Sequence, residues 1–326
     1  MMLILTETQV QALIDVDELI TALERAHIQY STGKTVMPVR LVVPLPQIDG
    51  RITTMPGFLN EDRALGMKVV TYFQNNPNQN LPSILATIML FSTETGKMMA
   101  VMDGGYITAI RTACASAMAT KVLSNPTASV LGVLGAGVQA RAHIRALCRV
   151  RKLQTIKIYS LSGRSATKVN QELESEIGVA IETAKSAEET VRGSDLIVTA
   201  TTAKEPIVSA RWLQPGAHIN AIGSHRPDAR ELDGATLARS KVFVDSRQAI
   251  MAECGDVLLA LAEKSVMPDH VQTEIGEVLA GTRPGRSKPD EVTLYKSVGI
   301  AIQDVATADL VYHKALEQNL GTNVVL

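Results

Sequence analysis

Residues 128–140 read ASVLGVLGAGVQA, an apolar run that ends in a Gly-x-Gly-x-x-Ala turn. The run has the β-branched, aliphatic character of a buried parallel strand, and a helical pattern, QARAHIRALCRV, follows at once. In such a unit Gly135 permits the tight turn, Gly137 lets the backbone approach a pyrophosphate, and Ala140 allows close packing of helix on strand. The amides at the start of the helix then face the phosphates. The order of strand, turn and helix therefore predicts dinucleotide binding.

The chain after residue 128 alternates strand-like and helical patterns. The strand candidates lie at 129–134, 155–160, 179–183, 195–201, 217–222 and 241–245. Because helical patterns separate several of these strands, we predict an α/β fold with a doubly wound parallel sheet of the Rossmann type. The segment at 282–291, TRPGRSKPDE, is expected to be a loop.

The first part of the chain has a different organisation. Helical spacing covers residues 8–32, and Gly33 is placed to end that helix. A segment rich in small residues, at 108–123, and a long C-terminal pattern, at 297–318, also predict helices. Strand-like stretches lie between them, at 40–45, 51–55, 66–73 and 84–91.

Composition excludes several classes of protein. The 326 residues carry a formal net charge of −1, so no basic field attracts nucleic acid or anionic lipid. No apolar stretch reaches the roughly 18 residues of a membrane helix, and the N-terminus lacks the basic region of a signal peptide. Cys114, Cys148 and Cys254 are far apart and odd in number. We therefore expect reduced thiols in a cytoplasmic protein, with neither disulfide nor metal site.

The end of the second Rossmann strand bears on which dinucleotide is bound. An NAD-binding domain carries an acid there, whereas this strand, TIKIYS, ends with Ser160, and no carboxylate follows before Lys168. Ser160, Ser162 and Arg164 together suit the 2′-phosphate of NADPH. We expect NADPH, with NADH as the alternative; a solvated loop with one surface arginine would explain the same residues.

Three basic residues stand in apolar or turn-rich segments: Arg40 in MPVRLVVP, Lys68 in LGMKVVTY and Arg111 in TAIRTACAS. Charged residues in such segments are rarely buried without a partner, and a substrate carboxylate is one such partner. An arginine offers a planar fork that matches a carboxylate, and a lysine near other cations has a lowered pKa that suits proton transfer. The alternative is that each cation pairs with a protein carboxylate or faces water.

Over almost its whole length the chain resembles the ornithine cyclodeaminase/mu-crystallin family. The matching stretches are MPVRLVVP, TTMPGF, LGMKVV, TGKMMAVMDGGYITAIRTACASAMATKVL, LGAGVQA, PGAHINAIGSHRPDARELD, VFVDS, GDVLL and YKSVGIAIQD. The resemblance implies a homodimer and an NAD(P)-dependent reaction at the α-carbon of an amino or imino acid. It also implies a Rossmann domain at 121–301 and an α+β substrate-binding and dimerisation domain at 1–120, completed by 302–326.

The resemblance assigns roles to particular residues. Arg40 and Arg111 match the arginines that hold the substrate carboxylate, and Lys68 matches the lysine beside the reacting carbon and nitrogen. The cofactor residues that it implies are Gly135, Gly137, Val138 and Gln139 in the phosphate turn, Thr112 near the cofactor, Thr199, Ala200 and Thr201 beside the nicotinamide, and Lys296, Ser297 and Gly299 in a closing loop.

Two departures from the family pattern favour an imine over ornithine as substrate. His225 occupies the place of the catalytic aspartate of ornithine cyclodeaminases, and Thr53 stands where those enzymes carry a glutamate. Both changes remove anionic contacts for a side-chain ammonium. His225 is a candidate proton relay, and capping of its own loop is the alternative. Thr53 remains a candidate substrate contact, and Ile84, where many relatives have histidine, predicts an apolar pocket.

We therefore predict NAD(P)H-dependent reduction of a cyclic ketimine carboxylate, with Lys68 and His225 as catalytic residues. The resemblance supplies the substrate class: Δ1-pyrroline-2-carboxylate or Δ1-piperideine-2-carboxylate, reduced to L-proline or L-pipecolate. Three alternatives stay open at this stage. They are amination of a keto acid as in alanine dehydrogenases, a lyase reaction on ornithine or 3-hydroxyproline, and a non-catalytic NADPH-binding protein.

Overall fold

The computed structural model describes residues 1–325, which form two compact units. Unit 1 comprises Met1–Thr112 and the chain from Ile300 onward, and unit 2 comprises Ala113–Gly299. The division after Thr112 falls inside a helix, Gly105–Leu123, and so does the boundary expected after residue 120.

The regular elements are as follows. In chain order the strands are β1 (Met2–Leu5), β2 (Thr35–Val36), β3 (Leu41–Leu45), β4 (Gly50–Leu59), β5 (Ala64–Phe73), β6 (Ile84–Phe91), β7 (Met98–Asp103), β8 (Val130–Leu134), β9 (Thr155–Tyr159), β10 (Ala180–Thr183), β11 (Leu196–Thr199), β12 (His218–Ala221), β13 (Lys241–Val244), β14 (Thr273–Glu274), β15 (Thr293–Lys296) and β16 (Thr322–Val324). The α-helices are α1 (Glu7–Leu13), α2 (Val16–Ser31), α3 (Gly105–Leu123), α4 (Val138–Val150), α5 (Gly163–Ile177), α6 (Ala187–Val191), α7 (Gly234–Arg239), α8 (Arg247–Glu253), α9 (Gly255–Ala262), α10 (Ile275–Leu279) and α11 (Ala301–Glu317).

The sheet of unit 2 is parallel throughout, in the order β10-β9-β8-β11-β12-β15-β13-β14. The chain leaves β8 toward β9 on one side and returns to β11 on the other, so the strand order reverses between β8 and β11. Such a reversal marks the crevice where doubly wound folds bind nucleotides. The predicted Rossmann sheet is confirmed, and its six predicted strands all occur, each slightly shorter than expected.

The sheet of unit 1 has the order β16-β1-β7-β6-β5-β4-β2, and β3 also pairs with β4. Strands β4 to β7 form an antiparallel meander. Helix α11 packs closely on one face, since a Cβ added at Gly57 would lie 3.3 Å from the Ala301 Cβ, and one at Gly66 3.2 Å from Val305 Cγ2. These two glycines bring α11 against the centre of the sheet.

The opposite face of this sheet, called the open face below, carries Thr54, Thr71 and Thr87, but most of its side chains are apolar and half-buried. These apolar side chains are Ile52, Pro56, Phe58, Leu65, Met67, Val69, Met89 and Val101. In an antiparallel sheet one face packs on the core while the other is usually polar, so this apolar composition is unusual for a surface exposed to water.

Two predicted helices were wrong in their limits. The helix expected at 8–32 is interrupted after Leu13, because the Asp15 carboxylate accepts hydrogen bonds from the amides of Asp17 and Glu18 and so caps a new helix, α2. The C-terminal helix expected from 297 begins only at Ala301, since Gly299 has a φ of +76°. Within residues 1–325, no helix combines the length and the apolar character that crossing a membrane requires.

Candidate active site

A cluster of opposite charges is buried in unit 1. Lys68 on β5 lies on the face that α11 covers, and its Nζ is 2.8 Å from Oδ1 of Asp304. Arg111 on α3 donates from Nε to the same oxygen at 2.9 Å. The three side chains are 5% exposed or less. Two of the predicted cations therefore share one protein carboxylate, and positive charge remains in excess.

Burial and neighbouring charges set the protonation of this cluster. Burial lowers the pKa of Lys68, Asp304 raises it, and Arg111 and Arg40 lower it again, to about 7. Burial alone would raise the pKa of Asp304, but Arg111 and Lys68 hold it below its ordinary value. Near neutral pH, Asp304 is therefore an anion, and Lys68 exchanges a proton readily.

A second set of contacts orients Arg111. Its Nη1 donates to Oε1 of Gln303 at 2.5 Å, and Nε2 of Gln303 lies 3.0 Å from Nε2 of His27. Burial, followed by the charge of Arg111, lowers the pKa of His27 to about 3, so this histidine is neutral and accepts the amide hydrogen. The chain of contacts holds the guanidinium of Arg111 in one orientation.

Arg40 and Thr53 lie in the same unit. Arg40 immediately precedes β3, is half-buried, and is close enough for its charge to lower the pKa of Lys68. Thr53 on β4 is buried and pairs with Val70 on β5. Val70 is two residues beyond Lys68, so Thr53 lies on the same face of the sheet as Lys68. Ile84 on β6 pairs with Tyr72, so it shares this face and extends the apolar surface.

The glycine turn of unit 2 has the geometry that a pyrophosphate needs. Gly135 has a φ of +111°, and a Cβ there would lie 2.4 Å from the carbonyl oxygen of Ala200. Gly137 is the N-cap of α4 without a side-chain cap, and an added Cβ would meet nothing within 4 Å. With Val138 and Gln139 in its first turn, α4 presents uncapped amides to open space, which fits the phosphates of a dinucleotide.

A buried carboxylate holds the ends of β11 and β12. Glu231 accepts hydrogen bonds from the Thr199 hydroxyl (2.7 Å), the Thr201 amide (2.6 Å) and hydroxyl (2.7 Å), and the Gly223 amide (2.8 Å). The hydroxyl of Thr199 is thus directed at Glu231. Glu231 lies in the RELD segment, which matches the family pattern but contains no local motif that predicts this role.

A second carboxylate holds the chain that follows β15. Oδ2 of Asp245 accepts hydrogen bonds from the Ser297 hydroxyl (2.8 Å) and from the amides of Val298 (3.0 Å) and Gly299 (2.8 Å). These contacts hold residues 297–299 outside regular secondary structure, which agrees with the late start of α11. The predicted loop residues Ser297 and Gly299 therefore lie at the carboxyl edge of the sheet, where Thr199 and Gly135 also lie.

Lys296 points into the protein. Its Nζ is 2.8 Å from Oδ2 of Asp256, and both side chains are 1% exposed. Burial would lower the pKa of Lys296, but the carboxylates of Asp256 and Glu231 hold it above its ordinary value. Lys296 is therefore a permanent internal cation.

The three residues expected to select NADPH are close together at the start of α5. The Ser160 hydroxyl donates to the Ser162 carbonyl at 2.6 Å, and Ser162 is the N-cap of α5 without a side-chain cap. Arg164 is exposed in the first turn of this helix. Hydroxyls, uncapped amides and one guanidinium thus form a surface suited to an anion.

His225 and Thr112 have local contacts. His225 is an exposed residue of unit 2, and its Nδ1 lies 3.1 Å from the carbonyl oxygen of Gly223 in its own loop. Nearby, Arg226 and Asp228 form a bidentate surface ion pair. The buried Thr112 hydroxyl donates within α3, to the carbonyl of Thr108 at 2.7 Å. His225 therefore contacts its own loop, and Thr112 contacts its own helix.

The parallel sheet, its glycine turn and the cation cluster define a two-unit protein with a Rossmann-type nucleotide domain. The chain belongs to the ornithine cyclodeaminase/mu-crystallin family, whose model matches residues 1–319. It is 39% identical over 297 residues to ketimine reductase mu-crystallin of Mus musculus, covering 90% of this chain and 91% of the relative.

Two solved structures are similar over nearly the whole chain. One is Thermococcus litoralis Δ1-pyrroline-2-carboxylate reductase in complex with NADH and L-proline, with a TM-score of 0.96, 40% identity, and coverage of 99% and 100% of the two chains. The other is an archaeal alanine dehydrogenase dimer with bound NAD, with a TM-score of 0.94, 36% identity and 99% coverage of each chain.

The low pKa of Lys68 predicts a pH dependence of stability. Between pH 7 and pH 10.5 the unfolded chain binds a proton at Lys68 that the folded chain does not, so the folded state gains stability as pH rises. Replacing Lys68 by methionine removes this gain, about 1.4 kcal/mol per pH unit. The free energy of unfolding from urea titrations at several pH values measures it.

Lys34→Met is the matched control, because Lys34 is about half exposed and pairs with Glu61 at the surface. It should keep the wild-type slope. If the free energy of unfolding changed equally with pH in the wild type and in Lys68→Met, the assigned pKa of Lys68 would be contradicted.

Proposed function

We propose that this protein reduces a cyclic ketimine carboxylate to the corresponding cyclic amino acid, with a reduced nicotinamide dinucleotide as hydride donor. The observation that carries the proposal is the buried cluster of Lys68, Arg111 and Asp304, which has excess positive charge and a lysine poised near neutral pH. The likeness to a mu-crystallin ketimine reductase and to a pyrroline-2-carboxylate reductase supports the same reaction.

The reaction adds one hydride to the imine carbon and one proton to the nitrogen. The reduced cofactor, when bound, supplies the hydride. The carbon–nitrogen double bond becomes a single bond, and the product is a secondary amine beside the same carboxylate. Because a protonated imine is a far better hydride acceptor than a neutral one, the protein must keep a proton at that nitrogen.

We assign this proton to Lys68. With a pKa of about 7, its ammonium donates a hydrogen bond or a proton to the nitrogen at neutral pH. Asp304, 2.8 Å away, orients the ammonium and offsets the repulsion from Arg111. A lysine without this carboxylate, buried beside two arginines, would be neutral and unable to act as an acid.

The substrate carboxylate is bound by the arginines. Nε and Nη1 of Arg111 are directed at Asp304 and Gln303, so Nη2 is the part of this guanidinium that serves an incoming anion. Arg40 adds a second positive charge near Lys68. A carboxylate at this point balances the excess charge, and the small or apolar side chains of Thr53 and Ile84 suit a ring that carries no further charge. His225 is proposed only as a proton relay from solvent.

A spectrophotometric screen tests the function. The wild type, given NADPH or NADH, is expected to oxidise the cofactor with Δ1-pyrroline-2-carboxylate or Δ1-piperideine-2-carboxylate. Lys68→Met should lower kcat/KM by about 100-fold or more, the usual contribution of a general acid, while Lys34→Met should not. Since the reaction needs protonated Lys68, kcat/KM should fall as pH rises above about 7.

Two further arms separate the alternatives. Pyruvate with ammonium tests the amination suggested by the likeness to alanine dehydrogenase, and ornithine tests a lyase, which would release ammonia without net cofactor oxidation. Turnover in either arm with inert ketimines would overturn the proposal. Full ketimine turnover by Lys68→Met would overturn the role of Lys68.

We further propose that NADPH is preferred to NADH. The end of β9 lacks a carboxylate for the ribose hydroxyls, and Ser160, Ser162 and the uncapped start of α5 form an anion site beside Arg164. Arg164→Ala should reduce the ratio of kcat/KM for NADPH to that for NADH about tenfold, as expected for one charge-assisted contact.

Arg192→Ala is the control, because Arg192 is an exposed arginine of the same unit, paired with Glu188. Its ratio should equal that of the wild type. A wild type that favours NADH, or an unchanged ratio in Arg164→Ala, would contradict the preference; the two similar structures hold NADH and NAD.

The open face supports assembly into a homodimer. Its apolar side chains are half-buried in the single chain, and an isologous dimer covers such a patch on both copies at once. The archaeal alanine dehydrogenase is described as a dimer. A cytoplasmic location, expected from the odd number and wide spacing of the cysteines, remains a prediction.

Met67→Asp tests the dimer. Met67 lies in the middle of the open face, between Pro56 and Met89 on the neighbouring strands, and a buried unpaired carboxylate there should dissociate the copies. Sedimentation analysis of the wild type should give twice the chain mass, and Met67→Asp should give the chain mass. Met267→Asp, at a 66% exposed methionine, should stay dimeric. A monomeric wild type would refute the assembly.

A further inference from the structure

The carboxylate of Glu231 joins two loops that are separate in sequence. Each of its oxygens accepts one backbone amide and one hydroxyl: Oε1 from Thr201, and Oε2 from Gly223 and Thr199. The side chain has no exposed surface. All four donors stand at or just beyond the carboxyl ends of β11 and β12, which are neighbours in the parallel sheet.

These ends border the glycine turn. Ala200 lies between the two threonines that Glu231 holds, and its carbonyl oxygen occupies the space beside Gly135, where a Cβ would be only 2.4 Å away. The Ala200 amide also donates to the Leu134 carbonyl at 2.8 Å. A shift of the Thr199–Thr201 segment would therefore move the atoms that limit the turn.

Asp256 and Lys296 hold the segment that carries Glu231. Oδ1 of Asp256 accepts hydrogen bonds from the Glu231 and Leu232 amides at 2.7 and 2.9 Å, and Oδ2 of Asp256 pairs with Lys296. The positive charge of Lys296 stabilises the buried carboxylates of Asp256 and Glu231. Close packing adds to this, since a Cβ at Gly223 would lie 2.5 Å from Cδ of Glu231.

We propose that Glu231 is a positioning residue for the dinucleotide. It holds the loops after β11 and β12 in the conformation that admits the nicotinamide half of the cofactor, and it does so without touching the cofactor. The inference rests on the proposed function for the identity of the ligand. Thr199 then contributes to cofactor binding indirectly, because its buried hydroxyl donates a hydrogen bond to Glu231 rather than to the cofactor.

Glu231→Gln is the informative variant. Each carboxylate oxygen accepts a backbone amide, so a glutamine in either orientation sets its NH₂ group against an N–H donor, from Thr201 or from Gly223. At least one loop must move. We expect the Kd of NADH, from isothermal titration calorimetry, to rise about tenfold, the effect of losing a buried charge-assisted contact.

A second readout separates positioning from mere stability. The KM of the ketimine at saturating cofactor should stay within about twofold of the wild-type value. A partly unfolded sample would instead bind less NADH per chain and have a lower kcat, while the Kd of NADH stayed unchanged. Glu263→Gln is the matched control, since Glu263 is a more exposed glutamate of the same unit that pairs with Arg230. Its Kd should equal that of the wild type.

A folded Glu231→Gln protein with the wild-type Kd for NADH would overturn the inference. If that variant does not fold, Thr199→Val removes one hydroxyl donor at nearly constant shape and should raise the Kd by about threefold or more, since one hydrogen bond is lost. An unchanged Kd for Thr199→Val would then overturn it. A wild type that binds NADH but reduces no ketimine overturns the proposed function alone.

Discussion

Unit 1 depends on one oxygen atom, Oδ1 of Asp304, which two buried cations share. Removing Lys68 and Arg111 from water without a counter-ion would be very costly, and one carboxylate offsets part of that cost. Because there are two cations for one anion, the balance stays incomplete in the free protein. In the proposed function a substrate carboxylate completes it. Burial, reinforced by Arg111 and Arg40 and opposed by Asp304, lowers the pKa of Lys68 to about 7. The stability of the cluster and its proposed roles in anion binding and proton transfer therefore have a common electrostatic origin.

Unit 2 uses buried carboxylates for a different purpose. The loops at the carboxyl edge of a parallel sheet leave backbone amides that need partners. Glu231 satisfies two such amides and Asp245 three, counting the Ser246 amide on its Oδ1. A carboxylate accepts several hydrogen bonds at once, so it can hold an irregular loop without regular secondary structure. The internal cation Lys296 pairs with Asp256, whose carboxylate also accepts the backbone amide of Glu231, and so reduces the net negative charge in this part of the interior.

A pyrroline-2-carboxylate reductase and an alanine dehydrogenase have nearly the same fold as this chain, which agrees with the chemistry of the cluster. A keto acid and ammonia condense to an open-chain imine, and a ketimine carboxylate is its cyclic counterpart. Both present a carboxylate next to a carbon–nitrogen double bond, so both suit two arginines and a lysine. In the proposed site Thr53 and Ile84 provide no charge for a second ammonium, which separates both of these substrates from ornithine.

The sequence alone determined the features whose signals are local. The strand, glycine turn and helix at 128–150 are contiguous, so their pattern predicted the Rossmann unit directly. Lys68 and Arg111 were recognisable because cations in apolar segments need partners. The sequence missed β15, which is four residues long and buried on both faces, so that it lacks the alternation of a half-exposed strand.

Only the tertiary structure identified the partners of these buried cations. Asp304 lies 236 residues from Lys68, and Glu231 is 30 or more from the threonines that it holds, so no spacing rule connects them. Their positions follow from the return of α11 onto the first sheet and from the side-by-side ends of parallel strands. Local patterns report backbone periodicity and burial, whereas the pairing of buried charges depends on which distant segments the fold packs together.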